Sequence, residues 1–264
     1  MKIPVTMCHG TSDTLPLERF TQYFAIAAEL GFTSINYDDL ERARADLSTL
    51  PEHPIMFDFD HPVRSIHDQI LPLMTERGYT GNIFIQTQPM EELYATDAHK
   101  SPDREHMTWE EIAALHESGW QIGAHTHTHP NLSDLSQSDP TGRAIRDEMQ
   151  TNDDILTKHL GFPPKDFAFT GTSFSAIAER QAKQRYRFGR LWIIGANYEA
   201  DGKPIRVADL LNVPGPDEAD SGPPHAARYI TAQSDPHRLP AMELENLIHD
   251  YTAFRNYLTG ALQS

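Results

Sequence analysis

One cysteine, Cys8, stands in the whole 264-residue chain. A single thiol excludes an intrachain disulfide framework and a multi-cysteine zinc site, and Cys8 is expected to be a small buried residue. Positive charge is also scarce: 22 Lys and Arg face 38 Asp and Glu, a formal net charge of −16. No run of basic residues interrupts that balance, so the chain lacks the electrostatic footprint of a general nucleic-acid binder or of a protein held on an anionic membrane. Long apolar runs are missing too. The longest, near Phe24–Ala28 and Leu191–Ala196, fall far short of the roughly 20 residues that span a bilayer. The opening Met1-Lys2-Ile3-Pro4-Val5 carries no small-residue cleavage site, and the expectation is a soluble, cytoplasmic protein. With 39% hydrophobic and 23% charged residues, the composition is that of an ordinary globular chain.

Short β-rich runs alternate with helical patterns, which argues for an α/β fold. Leu17–Gly31 has apolar residues at helical spacing and ends at a glycine. Thr33–Ile35 reads as a short strand and Asp38–Leu50 as a helix. Pro54–Phe59 is a compact apolar strand, Ile66–Gly78 a helix and Asn82–Gln86 a strand. Thr108 with Glu111 three residues on forms a capping box for a helix running to Ser118-Gly119. Trp120–Ala124, Phe167–Phe169 and Leu191–Ile194 are expected strands; Ala144–Leu160 and Ser175–Arg185 are expected helices. Residues 199–227 hold five prolines and three glycines and read as a long irregular loop. Tyr229–Ala232 is the last expected strand. A stripe of Leu244, Leu247, Ile248, Tyr251, Phe254 and Leu258 predicts a terminal helix over about 242–262. Length alone does not force two domains, and residues 1–264 are expected to form one.

Two clusters carry chemistry: Phe57-Asp58-Phe59-Asp60-His61-Pro62 and His125-Thr126-His127-Thr128-His129-Pro130. Each lies where an expected strand ends and a loop begins, the edge where parallel α/β folds place their active sites. In an extended segment all three histidines of the second cluster would face one side. In a helical turn His125 and His129 would share a face and His127 would point elsewhere. Pro130 and Asn131 argue against a long strand, which favours His125 and His129 as a metal pair. Two neutral imidazoles and one carboxylate suit a borderline divalent ion with positions open for water and substrate, and the first cluster supplies aspartate. Other metal-site patterns fit less well: no His-Glu-x-x-His exists, and Thr128 stands where a metallo-β-lactamase has aspartate.

These residues resemble the polysaccharide deacetylase, or NodB-homology, family. That family has a Thr-Phe-Asp-Asp-Gly motif, a later His-Ser/Thr-x-x-His and then an Arg-x-Pro-Tyr. Met56–Asp60 takes the place of the first, in an Asp-x-Asp variant, and His125–His129 matches the second, preceded by Ile122-Gly123. The third is poorly kept: Phe167-Ala168-Phe169-Thr170-Gly171-Thr172 has neither the arginine nor the Pro-Tyr pair. The resemblance spans about residues 3–195 and implies a distorted (β/α) barrel.

The resemblance further implies that Asp58 is the general base and that Asp60, His125 and His129 hold one divalent ion, most simply zinc. The family arginine would orient the base. Backbone N–H groups at Thr170 and Gly171 stand where the family holds its oxyanion, and His225 and His237 are weak candidates for the general acid. The implied activity is hydrolysis of an amide C–N bond, removing acetyl from an N-acetylated sugar or oligosaccharide. The alternatives are a non-sugar amide, as in allantoinase-like relatives, and a degenerate carbohydrate-binding protein. The expected partner is an oligosaccharide or small molecule rather than nucleic acid or membrane, with self-association left open. An extended second cluster would instead make His127 a third imidazole ligand and displace Asp60 into a catalytic role.

Overall fold

Seven parallel strands close into a barrel in the computed structural model, which describes residues 1–263. In chain order the strands are β1 (Ile3–Cys8), β2 (Thr33–Ser34), β3 (Pro54–Asp60), β4 (Asn82–Ile85), β5 (Gln121–Ala124) and β6 (Asp166–Ala168). There follow β7 (Ser173–Phe174), β8 (Phe188–Ile193), β9 (Asn197–Ala200), β10 (Lys203–Arg206), β11 (Tyr229–Ile230) and β12 (Leu239–Glu243). The closed ring runs β1-β12-β8-β6-β5-β4-β3 and back to β1, every pairing parallel. The short strands β2 and β11 pair with β3 and β1 outside that ring. The fold is therefore α/β, a distorted barrel with helices on its outside. No helix among the described residues is long and apolar enough to cross a membrane.

Period-two alternation sorts each strand into two faces. Outward residues such as Ile55, Phe57, Phe59, Ile83, Ile85, Phe167, Leu191 and Ile193 join the core beneath the helices. Inward residues, Ile3, Val5, Met7, Met56, Phe84, Ala168, Phe188 and Ala241, pack as a separate cluster inside the barrel. The same parity places Asp58 and Asp60 of β3, Asn82 of β4 and Arg190 of β8 in the lumen. Gly123 of β5 is required there, because a Cβ would run into the Phe84 ring. Gly123→Ala is expected to destabilise the protein by about 1–3 kcal/mol, the usual range for overpacking, read as a lower urea midpoint.

Several boundaries differ from those expected. Met242 and Glu243 belong to barrel strand β12, so the terminal helix is Tyr251–Leu262, capped by the Asp250 carboxylate on the Ala253 N–H at 2.8 Å, and not 242–262. Leu244, Leu247 and Ile248 are buried as expected, but in the connecting segment. Residues 199–227 are not wholly irregular: β10 pairs antiparallel with β9, and a short helix spans Val207–Leu210. Tyr229–Ile230 is the penultimate strand. The capping box forms as read, with Thr108 accepting from the Glu111 N–H at 3.3 Å and the Glu111 carboxylate accepting from the Thr108 N–H at 2.8 Å.

Candidate metal centre

Three imidazoles converge at the carboxyl end of the barrel. His61 follows β3, and His125 and His129 follow β5; one ring nitrogen from each lies within 4.8 Å of the other two. Ring centroids are 4.8 Å apart for His61–His129 and His125–His129, and 5.1 Å for His61–His125. Two of the three nitrogens are tuned by a hydrogen bond on the far side of the ring, as metal-binding histidines usually are. His125 Nδ1 donates to the Ala168 carbonyl (2.9 Å) and His61 Nδ1 to Gln86 Oε1 (3.0 Å). That tautomer leaves each Nε2 with a lone pair pointing inward.

His125 Nε2 is buried with no hydrogen-bond partner, and it faces Asp60 Oδ2 at 3.6 Å. Burial holds His125 well below the usual imidazole range. A neutral nitrogen lone pair opposite a carboxylate oxygen has nothing to bind except a cation or a proton. The donor set therefore fits a divalent metal ion on the chemistry of its own residues.

His61 and His129 both adopt left-handed backbone, φ 64° and 59°, as does Thr126 at 62°. Non-glycine residues there cost of the order of 1–3 kcal/mol and persist only where the surroundings impose them. The imposing groups are visible on the second loop. Glu148, on the helix Arg143–Leu160, accepts from the N–H groups of His127 (3.1 Å) and Thr128 (2.8 Å). One turn on, buried Asn152 donates to the carbonyls of Ile85 (2.9 Å) and Thr126 (2.6 Å). The turn sends His127 away from the cluster: its Nδ1 meets Thr87 Oγ1 at 3.0 Å and its Nε2 lies 3.7 Å from Glu91.

Beneath the imidazoles lies a buried charge network. The Arg190 guanidinium, fully buried, pairs with Asp60 Oδ1 and stands 3.5 Å from Asp58 Oδ2, with its Cζ 4.8 Å from the Phe84 ring centroid. Asp58 accepts from Tyr37 Oη (2.7 Å) and Asn82 Nδ2 (2.9 Å). Burial pushes its carboxyl up to about 7 despite Arg190 and these two donors. For Asp60 burial also opposes ionisation, but Arg190 and, behind it, the neighbouring imidazoles together outweigh it and bring the carboxyl down to about 2. Asp60 is thus the carboxylate that stays charged and reaches the imidazoles, while Asp58 is enclosed one layer deeper.

Of the residues expected from the sequence, Asp60, His125 and His129 come together, and Asp58 sits below them. Thr170 and Gly171 follow β6 beside them: Thr170 Oγ1 donates to the carbonyl of Pro130, the residue after His129. The histidines proposed as general acid lie elsewhere. His225 Nε2 pairs with Tyr229 Oη (3.1 Å) and His237 Nε2 with the Tyr186 carbonyl (3.0 Å). The sequence reading missed His61, Arg190, Glu148 and Asn152. It also missed His9, at the end of β1, which stacks on His61 at 5.1 Å and meets Trp192 edge-on at 5.3 Å. For His61 a signal existed in its place directly after the second aspartate.

A family model described as polysaccharide deacetylase matches residues 48–187, more than half of the chain. No curated protein sequence matches it significantly. Among solved structures it is similar to the Streptococcus pyogenes deacetylase PplD in complex with acetate, at 15% identity and a TM-score of 0.69, covering 100% of this chain and 99% of that one. It is similar to a polysaccharide deacetylase from Bacillus cereus at 14% identity and a TM-score of 0.66, covering 98% and 69%. Similarity to IcaB from Ammonifex degensii is of the same order: 14% identity, a TM-score of 0.65 and 97% of each chain. At such identities the likeness is one of fold.

Proposed function

Because the chain belongs to the polysaccharide deacetylase family, we propose that it is a metal-dependent hydrolase that removes acetyl groups from an N-acetylated sugar or oligosaccharide. We assign His61, His125 and His129 as ligands of one divalent ion, most simply zinc, and Asp60 as the general base. This moves the base from the expected Asp58 to Asp60 and the third ligand from the expected Asp60 to His61. In that register Phe59-Asp60-His61 takes the place of the family's Phe-Asp-Asp, with His61 substituting for the ligand aspartate. The observation that carries the reading is the unpartnered His125 Nε2, buried inside a three-imidazole cluster and opposite a carboxylate.

A divalent ion at the imidazoles would polarise the amide carbonyl and acidify a water. The other tasks fall to the chain. Asp60 Oδ2 is free of the Arg190 pairing, takes the proton of the attacking water, and returns it to the departing amine nitrogen as the C–N bond breaks. Arg190 fixes the other oxygen, so the base presents one lone pair in one direction. Asp58, clamped by Tyr37 and Asn82, holds Arg190 from the opposite side. N–H groups of the Thr170–Thr172 turn receive the oxygen that gains charge as the tetrahedral centre forms.

Acetate release from N-acetylglucosamine oligomers, with and without added zinc, tests the activity. Zinc-dependent release of acetate with an equal amount of new free amine supports it. Hydrolysis confined to a small non-sugar amide would put the substrate class elsewhere, and binding of oligomers without turnover would make the protein a binder. The ligand set is tested separately by zinc titration. His61→Ala, His125→Ala and His129→Ala are each expected to weaken zinc binding at least about tenfold, whereas His127→Ala keeps one zinc per chain. Retention of zinc by His61→Ala together with its loss from His127→Ala would overturn the assignment.

A further inference from the structure

The turn after β6 has all of its carbonyls occupied and its N–H groups free. The Thr170 carbonyl accepts from Ser173 Oγ (2.8 Å), the Gly171 carbonyl from Tyr198 Oη (3.1 Å) and the Thr172 carbonyl from the Glu199 N–H (3.0 Å). Among the described residues none accepts from the N–H of Thr170, Gly171 or Thr172. Thr170 is buried, so its N–H is a group that would ordinarily have a partner. Gly171 has left-handed backbone, φ +58°, and nothing lies within 4 Å of where a Cβ would be. Consecutive N–H groups on an open, left-handed turn form a concavity for negative oxygen.

The turn is also locked to the imidazoles. Two residues upstream the Ala168 carbonyl receives His125 Nδ1, and Ser173 Oγ accepts from the Leu132 N–H (3.0 Å), three residues past His129. The fastening from the other side comes from the small sheet β10-β9-β7. Tyr198 is the buried residue of β9, and its hydroxyl reaches across to Gly171. Burial keeps that phenol protonated and therefore a donor.

We propose that Tyr198 is a positioning residue for the deacetylation step: its hydroxyl fixes the Gly171 peptide so that the turn's N–H groups face the developing oxyanion. This rests on the hydrolase reading above. It also gives the small sheet a role, since β9 carries the side chain that sets the turn.

Tyr198→Phe removes one hydroxyl and tests it. In zinc-loaded protein kcat for acetate release is expected to fall about 10–100-fold, a somewhat smaller effect than deleting an oxyanion donor outright. KM should stay within about twofold, the pattern of an interaction made only in the transition state, and zinc stoichiometry should stay at the parent value. A second readout needs no turnover. Methylphosphonate, a tetrahedral anion with one methyl group, is expected to shift the Gly171 and Thr172 amide resonances of the parent and to bind Tyr198→Phe about tenfold more weakly. A parent that hydrolyses no amide, with methylphosphonate still bound about tenfold more weakly by Tyr198→Phe, would overturn the hydrolase reading and leave Tyr198 only its hold on an anion-binding turn. Unchanged kcat with unchanged methylphosphonate affinity in Tyr198→Phe, or loss of its zinc, would overturn the proposal.

Discussion

Asp60→Asn is expected to lower the rate of acetate release by about 10²–10⁴-fold, the range for removing a general acid–base group, while zinc occupancy stays near that of the parent. The amide keeps the shape of the side chain and its contact with Arg190, but its oxygen no longer accepts a proton at neutral pH. Asp58→Asn is expected to cost less activity, because Asp58 meets Tyr37, Asn82 and Arg190 rather than the imidazoles. Metal analysis and steady-state rates on both variants decide the order. Zinc lost from Asp60→Asn, with zinc kept and the rate lost in Asp58→Asn, would restore the assignment read from the sequence.

Arg190→Leu is expected to destabilise the protein by about 3–5 kcal/mol, because removing one partner of a buried ion pair leaves its charge uncompensated. Here two carboxylates share the one guanidinium, and its side chain is wholly buried. The deficit should depend on pH, with a definite sign. Without Arg190, burial is the largest influence left on both carboxyls; it opposes the Tyr37 and Asn82 donors at Asp58 and the imidazoles at Asp60, and raises both above their unfolded values. The folded variant then binds more protons than the unfolded chain, so its stability falls as pH rises from about 4 toward 7. Urea unfolding at pH 5 and pH 7.5 measures this, and the gap from the parent should be larger at pH 7.5. Adding Asp60→Asn to Arg190→Leu should recover part of the loss, since the two residues share one interaction. Equal stability of Arg190→Leu and the parent at pH 7.5 would contradict the network.

Much of the barrel was legible because its outward strand positions repeat so plainly: Ile55, Phe57 and Phe59, then Ile83 and Ile85, alternate with lumen residues. The capping box at Thr108 and the pairing of His125 with His129 were legible for the same reason, being local. Strand β12 was not. Pro240 sits inside it, proline ordinarily argues against a central strand, and the apolar residues that follow mimic a helical stripe. Arg190 was hidden in an apolar run, where a wholly buried arginine is rare, and only the fold brings it to Asp58 and Asp60, across 130 residues of chain in the latter case. His61 stood in view beside the aspartates, but its role depends on a left-handed turn that sequence does not announce at a histidine preceding proline. The open alternative of three imidazoles named His127; the turn sends that side chain toward Thr87, and His61 is the third imidazole of the observed cluster.

The central claim is that three histidines, and no aspartate, hold the ion. X-ray absorption at the zinc edge of the zinc-loaded protein tests it most directly. The expected spectrum is that of three imidazoles with light oxygen donors completing the shell, dropping to two imidazoles in His61→Ala. A parent spectrum of two imidazoles that His61→Ala leaves unchanged would contradict it and return Asp60 to the metal.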